Sequence, residues 1–489
     1  MGGSRAGRWA VASRRWAAAR GGTWFAVTAV VVLTASLLSS SVAGAAPGRT
    51  KRPKAPATQL LATYHGSLAR TGYSPDERFL DPSNVGSLAI RVAMTEPGAV
   101  SDQPAVVGGV AYFGDWSGAF HAASLDTGDD IWSTELGITT AAGCNPDTAG
   151  IGSSPTIGTV NGRRVVVTGT GAASVAELDA ATGKVLWNRR LGTPNQAFVW
   201  DSPAMWHGRV YIGISSFGDC PIVPGKLVML NAATGAVLRS FSVTPAGCAG
   251  GGIWSSPAID TSTGSIYVTT GNAGCVTPLQ DAMLELDART LRLEGSWQLP
   301  ADPNVSDDDF GATPVLFSAE IGGRIVRLVG ADAKDGNFYA LRRGALTAGP
   351  VWQYSVASGG DCPQCDQGAI APAAFDGTTL YVAGGQTSIS GQTCAGSVQA
   401  LDPATGQPLW QACVTDGPVL GPLSEVPGLV FVTSGDRIEA LSASSGAELF
   451  DYGEQDYGRF YGGVTVADDA VSVGNMDHTF LVFRLPAAT

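Results

Sequence analysis

The chain of 489 residues carries 30 Lys and Arg against 42 Asp and Glu, a formal net charge of −12. An acid excess of this size argues against nucleic acid as a partner, since a polyphosphate would approach against the chain's own field. With 44% apolar residues and 65 glycines there is material for a large core and for many tight turns.

Residues 1 to 45 hold Arg5, Arg8, Arg14, Arg15 and Arg20 and no acid, then an apolar run from Phe25 to Leu38, then Ala43-Gly44-Ala45. That order predicts a secretory signal peptide cleaved after about Ala45. The apolar run is too short to span a bilayer, so no transmembrane anchor is expected. Ser13-Arg14-Arg15-Trp16 faintly resembles a twin-arginine signal but stands far from the apolar run, which leaves the export route open between the two pathways. Without this leader, 25 basic residues face 42 acidic ones, a net charge near −17. Export to the cell envelope or the extracellular space is the expected fate.

Residues 46 to 58 are basic and Pro-rich without apolar period, and read as a disordered tether. A lead-in segment follows, containing His65-Gly66-Ser67-Leu68-Ala69-Arg70-Thr71-Gly72-Tyr73, and then 88–94, which reads as a strand with no sheet of its own. Residues 59–489 are expected to form one domain.

From here on one pattern repeats. Leu178-Asp179-Ala180-Ala181-Thr182-Gly183 running to Trp187 has near-copies at Leu125 to Trp132, Leu230 to Arg239 and Leu401 to Trp410, with worn versions ending at Trp297, Trp352 and Phe450. The Asp or Asn can accept from a backbone N–H two residues on, and Gly supplies a positive φ, so each copy is a tight turn between strands. A β-branched run precedes each turn, and a Ser-Pro-Ala-like start precedes that (Ser154, Ser202, Ser256, Thr313). Successive end residues are 55, 52, 58, 55, 58 and 40 apart, which suits four-stranded propeller blades. Seven units are expected at about 101–136, 151–191, 200–244, 254–299, 309–356, 368–414 and 419–452. The last, 462–485, has room for three strands. The fold predicted is all-β, an eight-bladed β-propeller closed by 88–94 as the missing outer strand of the last blade, because an open ring would expose two sheet edges.

All eight cysteines follow the leader, an even number in an exported chain, so disulfides are expected. Sequential pairing (144 with 220, 248 with 275, 362 with 365, 394 with 413) is preferred, although sequence does not fix connectivity. Every cysteine falls on the rim opposite the Thr-Gly turns, as do the long loops at 215–225, 271–280 and 358–368. That marks the functional face.

Gly252-Ile253-Trp254, Thr269-Thr270-Gly271-Asn272, Asp307-Asp308-Asp309-Phe310-Gly311 and Lys334-Asp335-Gly336-Asn337-Phe338, with the Thr-Gly-to-Trp turns and the Arg70-Thr71-Gly72-Tyr73 lead-in, resemble the quinoprotein dehydrogenases that hold pyrroloquinoline quinone. The polyvinyl-alcohol-dehydrogenase-like branch is the best match. The resemblance implies Trp254 under the quinone, Lys334 and Asp309 beside it, and Asn272, 18 residues after Trp254, as a ligand to Ca²⁺. It implies Asp281 as the base that takes the alcohol proton. Asp219 is a weak stand-in for the glutamate expected as a further Ca²⁺ ligand. The chain departs from the family in having no adjacent Cys-Cys pair, and Cys362-Pro363-Gln364-Cys365-Asp366 fails the haem-attachment pattern, so no haem is expected.

Each residue also has a plainer structural reading: interblade packing for Trp254, a Gly-Asn corner for Asn272, a solvated loop lysine for Lys334, a loop-entry cap for Asp307 to Asp309, and a structural role for Asp281. Four His on separated blades and the lack of a Gly-x-Ser-x-Gly elbow argue against a hydrolase. The sequence therefore leaves enzyme status open. The leading reading is an exported binding or assembly module on a quinone-binding-like propeller, with or without cofactor, which would dock an extracellular protein partner. The alternative is a pyrroloquinoline-quinone- and Ca²⁺-dependent dehydrogenase that oxidises an alcohol, sugar or polymer hydroxyl and passes electrons to an external acceptor.

Overall fold

A computed structural model describes residues 58–301, 307–453 and 458–487; the expected signal peptide and nearly all of the tether lie outside them. Among the described residues eight antiparallel blades of at least four strands follow one another, and in the first seven the four blade strands come in the order of the chain. Blade 1 runs through Ala105–Val106, Val110–Gly114, Ala119–Ser124 and Asp130–Glu135, and blade 4 through Ala258–Asp260, Ser265–Thr269, Ala282–Asp287 and Leu293–Gln298. Thr465–Ala467, Ala470–Gly474 and Thr479–Arg484 supply three strands of blade 8, and Ala89–Thr95 pairs antiparallel with Thr479–Arg484 as the fourth. No helix among these residues is long and apolar enough to cross a membrane.

The Thr-Gly turns explain how one blade grips the next. Asp179 Oδ1 accepts from Ala181 N at 3.1 Å and Thr182 Oγ1 at 3.0 Å, which fixes the corner. Gly183 then turns with φ +69, and a Cβ there would meet Trp132 of the preceding blade at 2.5 Å. The same indole donates Nε1–H to Ala180 O at 3.1 Å. Trp187 repeats the contact on Gly235 and Ala232 O, Trp352 on Gly406 and Pro403 O, and Trp410 on Gly446 and Ala443 O. In these four copies the aromatic that ends the repeat is thus a clasp on its neighbour.

The Ser-Pro starts do the corresponding work near the axis. Gln103 N donates to Ser154 Oγ at 2.8 Å, Ser154 N to Ser202 Oγ, Ser202 N to Ser256 Oγ and Ser256 N to Thr313 Oγ1, so each hydroxyl accepts an amide from the blade before. Between clasp and axis the sheet faces are buried and apolar; Tyr211, Leu227 and Met229 of blade 3, for instance, pack on Ile259, Ile266 and Val268 of blade 4. This burial is the main stabilising term.

One departure concerns the start of the domain. The tether was expected to reach residue 58, but a strand already begins there: Thr58–Ala62 pairs with Thr156–Val160 as a fifth strand on the inner edge of blade 2. The Leu60 and Leu61 that drive it lie just past the polar tether, where a composition boundary is blurred by a residue or two.

Where blades 8 and 1 meet, His121 faces Asp130 at 3.2 Å, Asp115 at 3.5 Å and Glu96, next after the closing strand, at 3.6 Å. Glu96 lies on its Nδ1 side and Asp115 on its Nε2 side. That arrangement suits an imidazolium among carboxylates better than a single cation site. Burial disfavours the charged ring, but Asp115, Glu96 and Asp130 outweigh it and push its pKa up to about 9.

Two outcomes follow for stability. Gly183→Ala is expected to cost at least about 2 kcal/mol, since strain and the Trp132 contact add, whereas Gly108→Ala, at φ +65 in open space, is expected to cost about 1 kcal/mol; urea denaturation compares them. The His121 contribution is complete below the unfolded value of 6.5 and is lost as pH rises through about 9. The protein should lose on the order of 2–3 kcal/mol across that window, and His121→Gln should flatten the dependence in the same titration.

Candidate functional site

The insertion-bearing rim opens into a cavity of about 450 Å³ over the propeller axis. Its chemistry comes from loops that the sequence holds far apart. Trp254 leads into the inner strand of blade 4, held by Ile253 N donating to Ile214 O at 3.2 Å and Gly271 N to Gly252 O at 2.9 Å. Two glycines leave room for the indole: a Cβ on Gly311 would meet its Cη2 at 2.9 Å, and one on Gly271 would meet Asp309 Oδ2 at 2.7 Å and the indole Nε1 at 3.4 Å. Lys334, from blade 5, places Nζ 5.3 Å from the centre of the Trp254 ring.

That ammonium is already paired. Nζ lies 2.5 Å from Asp307 Oδ2 and 2.7 Å from Asp309 Oδ1, while Asn272 Nδ2 donates to Asp307 Oδ1 at 3.0 Å. Burial disfavours the charged lysine, but Asp309 and Asp307 more than compensate and hold its pKa above the usual value. Burial pushes Asp309 up to about 7, against the pull of Lys334. Asp219 also lines the cavity, its carboxyl raised by burial and by Asp307. Two carboxylates thus pair with one ammonium, and a third, Asp219, lies on the same cavity wall.

Four disulfides, 144–220, 248–275, 362–365 and 394–413, join the cysteines in the sequential pairing. Cys144–Cys220 draws together the loops that carry Asn145 and Asp219, both on the cavity wall, and Cys248–Cys275 fastens the loop that carries Asn272.

Trp254, Asn272, Asp309, Lys334 and Asp219 therefore share one cavity, but Asp281 is not among the residues lining it. Its Oδ2 accepts from Gln280 Nε2 at 2.9 Å, and burial raises its pKa to about 6. Asp307 adds to that rise and Lys334 opposes it. Three residues escaped the sequence reading. Asp307, bonded to both Lys334 and Asn272, was seen only as part of an acidic run. Trp200 stands two residues before Ser202-Pro203, as Trp254 stands two before Ser256-Pro257, and that shared spacing was the available signal. Tyr64, from the lead-in, left no local signal at all.

Lys334→Met would leave Asp309 buried without its cation. It is expected to destabilise the protein by about 3 kcal/mol at pH 8 and clearly less at pH 6, where Asp309 is neutral; thermal melts at the two pH values, without added divalent metal, check this.

A family model described as outer membrane protein assembly factor BamB, of the PQQ_2 repeat type, matches residues 80–297, 339–459 and 394–483. The polyvinylalcohol dehydrogenase of Sphingopyxis sp. (strain 113P3) is 27% identical over 430 residues, which cover 76% of this chain and 64% of that protein, and the one from Pseudomonas sp. is 26% identical over 429 residues with the same coverage. This chain thus spans less than two thirds of the length of the relatives it matches. In fold it is similar to the quinohemoprotein alcohol dehydrogenase from Comamonas testosteroni, with a TM-score of 0.70, 19% identity and coverage of 87% of this chain and 81% of that one. It is also similar to BamB from Moraxella catarrhalis, with a TM-score of 0.54, 13% identity and coverage of 81% and 99%. With the family model spanning most of the repeats, the chain belongs to the PQQ-like propeller family of quinoproteins.

Proposed function

We propose that this protein is an exported dehydrogenase that oxidises the hydroxyl group of an alcohol, a sugar or a hydroxyl-bearing polymer, with pyrroloquinoline quinone and Ca²⁺ in the rim cavity and an external electron acceptor. The observation that carries the reading is the convergence of Trp254, Asn272, Asp309 and Lys334, from separate stretches of sequence, on one cavity. Similarity to the two polyvinylalcohol dehydrogenases supports it. Disulfides on the same rim support work in an oxidising compartment.

The residues fit the groups. Trp254 offers a flat face that Gly271 and Gly311 keep clear, and a planar heterocycle needs such a platform. Asn272 and Asp219 are oxygen donors of the kind a hard divalent cation takes. Because Asp307 and Asp309 already occupy Lys334, an anionic quinone would enter an anionic cavity, so cation and quinone should bind interdependently. When bound, the quinone supplies a two-electron acceptor and the cation a Lewis acid beside it.

The chain's own residues would then position the substrate hydroxyl and take its proton. The pair Asp307 and Asp309, which share the Lys334 ammonium, is better placed for that task than Asp281, which is bonded to Gln280 instead. A base is most effective with a pKa near the working pH, and Asp309 at about 7 meets that condition.

A second reading, a binding or assembly module, draws on the assembly-factor description of the matching family model. Titration of the purified protein with pyrroloquinoline quinone separates the two. The dehydrogenase reading expects bound-quinone absorbance only when Ca²⁺ is present, and dye-linked oxidation of alcohols. Asn272→Ala should raise the Ca²⁺ requirement at least tenfold. D309N or D307N should lower kcat about 10²- to 10⁴-fold, with D281N changing it far less. No quinone bound at micromolar concentration would leave the module reading.

A further inference from the structure

A ring of blades leaves a channel along its axis, and here the blades do not close that channel. Residues 63–74 do, by passing from blade to blade around it. Ile259 N of blade 4 donates to Leu68 O at 2.7 Å, Leu316 N of blade 5 to Ala69 O at 2.9 Å, Phe375 N of blade 6 to Thr71 O at 2.8 Å, and Glu425 N of blade 7 to Gly72 O at 2.8 Å. On the other side Thr58–Ala62 is zipped to blade 2, and His65 N donates to Gln103 Oε1 beside blade 1. The path is tight: Gly72 has φ +64, and a Cβ on it would meet Leu423 O at 2.7 Å.

At the centre sits Arg70, fully buried. Its Nε donates to Pro257 O at 2.9 Å, and its Nη1 to Thr63 Oγ1 at 3.0 Å and Tyr64 O at 2.6 Å. The guanidinium carbon lies 5.6 Å from the centre of the Tyr64 ring, and Tyr64 in turn lines the rim cavity. A buried cation bonded to carbonyls of both the lead-in and blade 4 fixes the Tyr64 ring under the cavity.

We propose that this strap is the floor of the functional cavity and that Tyr64 is a specificity-determining residue on it, with Arg70 as its positioning residue. The assignment rests on the dehydrogenase reading above and deepens it. A cavity closed from below admits its substrate from the stapled rim alone. The substrate class is therefore a hydroxyl presented at the end, or on an exposed bend, of a molecule; a polymer cannot be threaded through the ring. The Tyr64 ring limits how far the substrate reaches.

The test has two arms. With the quinone- and Ca²⁺-loaded protein, kcat/KM is measured for straight-chain primary alcohols from ethanol to 1-octanol. Tyr64→Ala is expected to raise kcat/KM for the long members relative to ethanol by about tenfold or more, carried by KM rather than kcat, as a deepened apolar floor accepts further methylenes. An unchanged chain-length profile overturns the role of Tyr64. Hydrogen exchange on the unmodified protein, with no ligand, reads the strap itself. The amides of Ile259, Leu316, Phe375 and Glu425 should rank with the slowest-exchanging strand amides; fast exchange there overturns the floor. If no alcohol is oxidised, the dehydrogenase reading and the role of Tyr64 fall together, while slow exchange at those four amides still upholds the closed floor.

Discussion

The structure depends on an indole of one blade lying over a glycine of the next. Sheets that touch only through apolar faces can slide, since hydrophobic burial has no direction. The Trp132, Trp187, Trp352 and Trp410 contacts remove that freedom, because each combines a space only glycine leaves with a hydrogen bond to a carbonyl of the same turn. The Ser-to-amide chain nearer the axis does the same for blades 1 to 5. Angular register between blades is thereby set at two radii, and the loops above them inherit it.

That register explains how a site can be built from loops. Asn272 lies in the loop after the second strand of blade 4, Asp307 and Asp309 lead into blade 5, and Lys334 follows the second strand of blade 5; they reach one another because the two blades are clamped at a fixed angle. The same convergence is electrostatically expensive. Burial raises the Asp309 pKa against the pull of Lys334, while Asp309 and Asp307 hold Lys334 charged, so these groups depend on one another.

What the sequence made legible was local or repeated. The turn chemistry of Asp179 to Gly183, the spacing of the end aromatics and the orphan strand near residue 90 were enough for the number of blades and their order, because each depends on a few neighbouring residues or on a period. Cavity positions for Trp254, Asn272, Asp309, Lys334 and Asp219 were legible through family resemblance and through their shared rim. Asp281 was singled out through its place after Asn272 in the same loop; it has a left-handed backbone (φ +48) and accepts from the Gln280 amide. Tyr64 and Arg70 were illegible for a different reason: the blade carbonyls that hold Arg70, Pro203 O and Pro257 O, lie 133 and 187 residues away, and no periodicity marks a segment that crosses an axis instead of joining a blade.

The seam at blade 8 has a consequence for how the molecule comes into being. Ala89–Thr95 is made early, and the strand it pairs with, Thr479–Arg484, comes at the far end of the chain. During synthesis the early strand precedes its partner by nearly the whole chain, and an unpaired strand edge is a standing invitation to the wrong neighbour. A chain that has not delivered residue 484 cannot complete the circle.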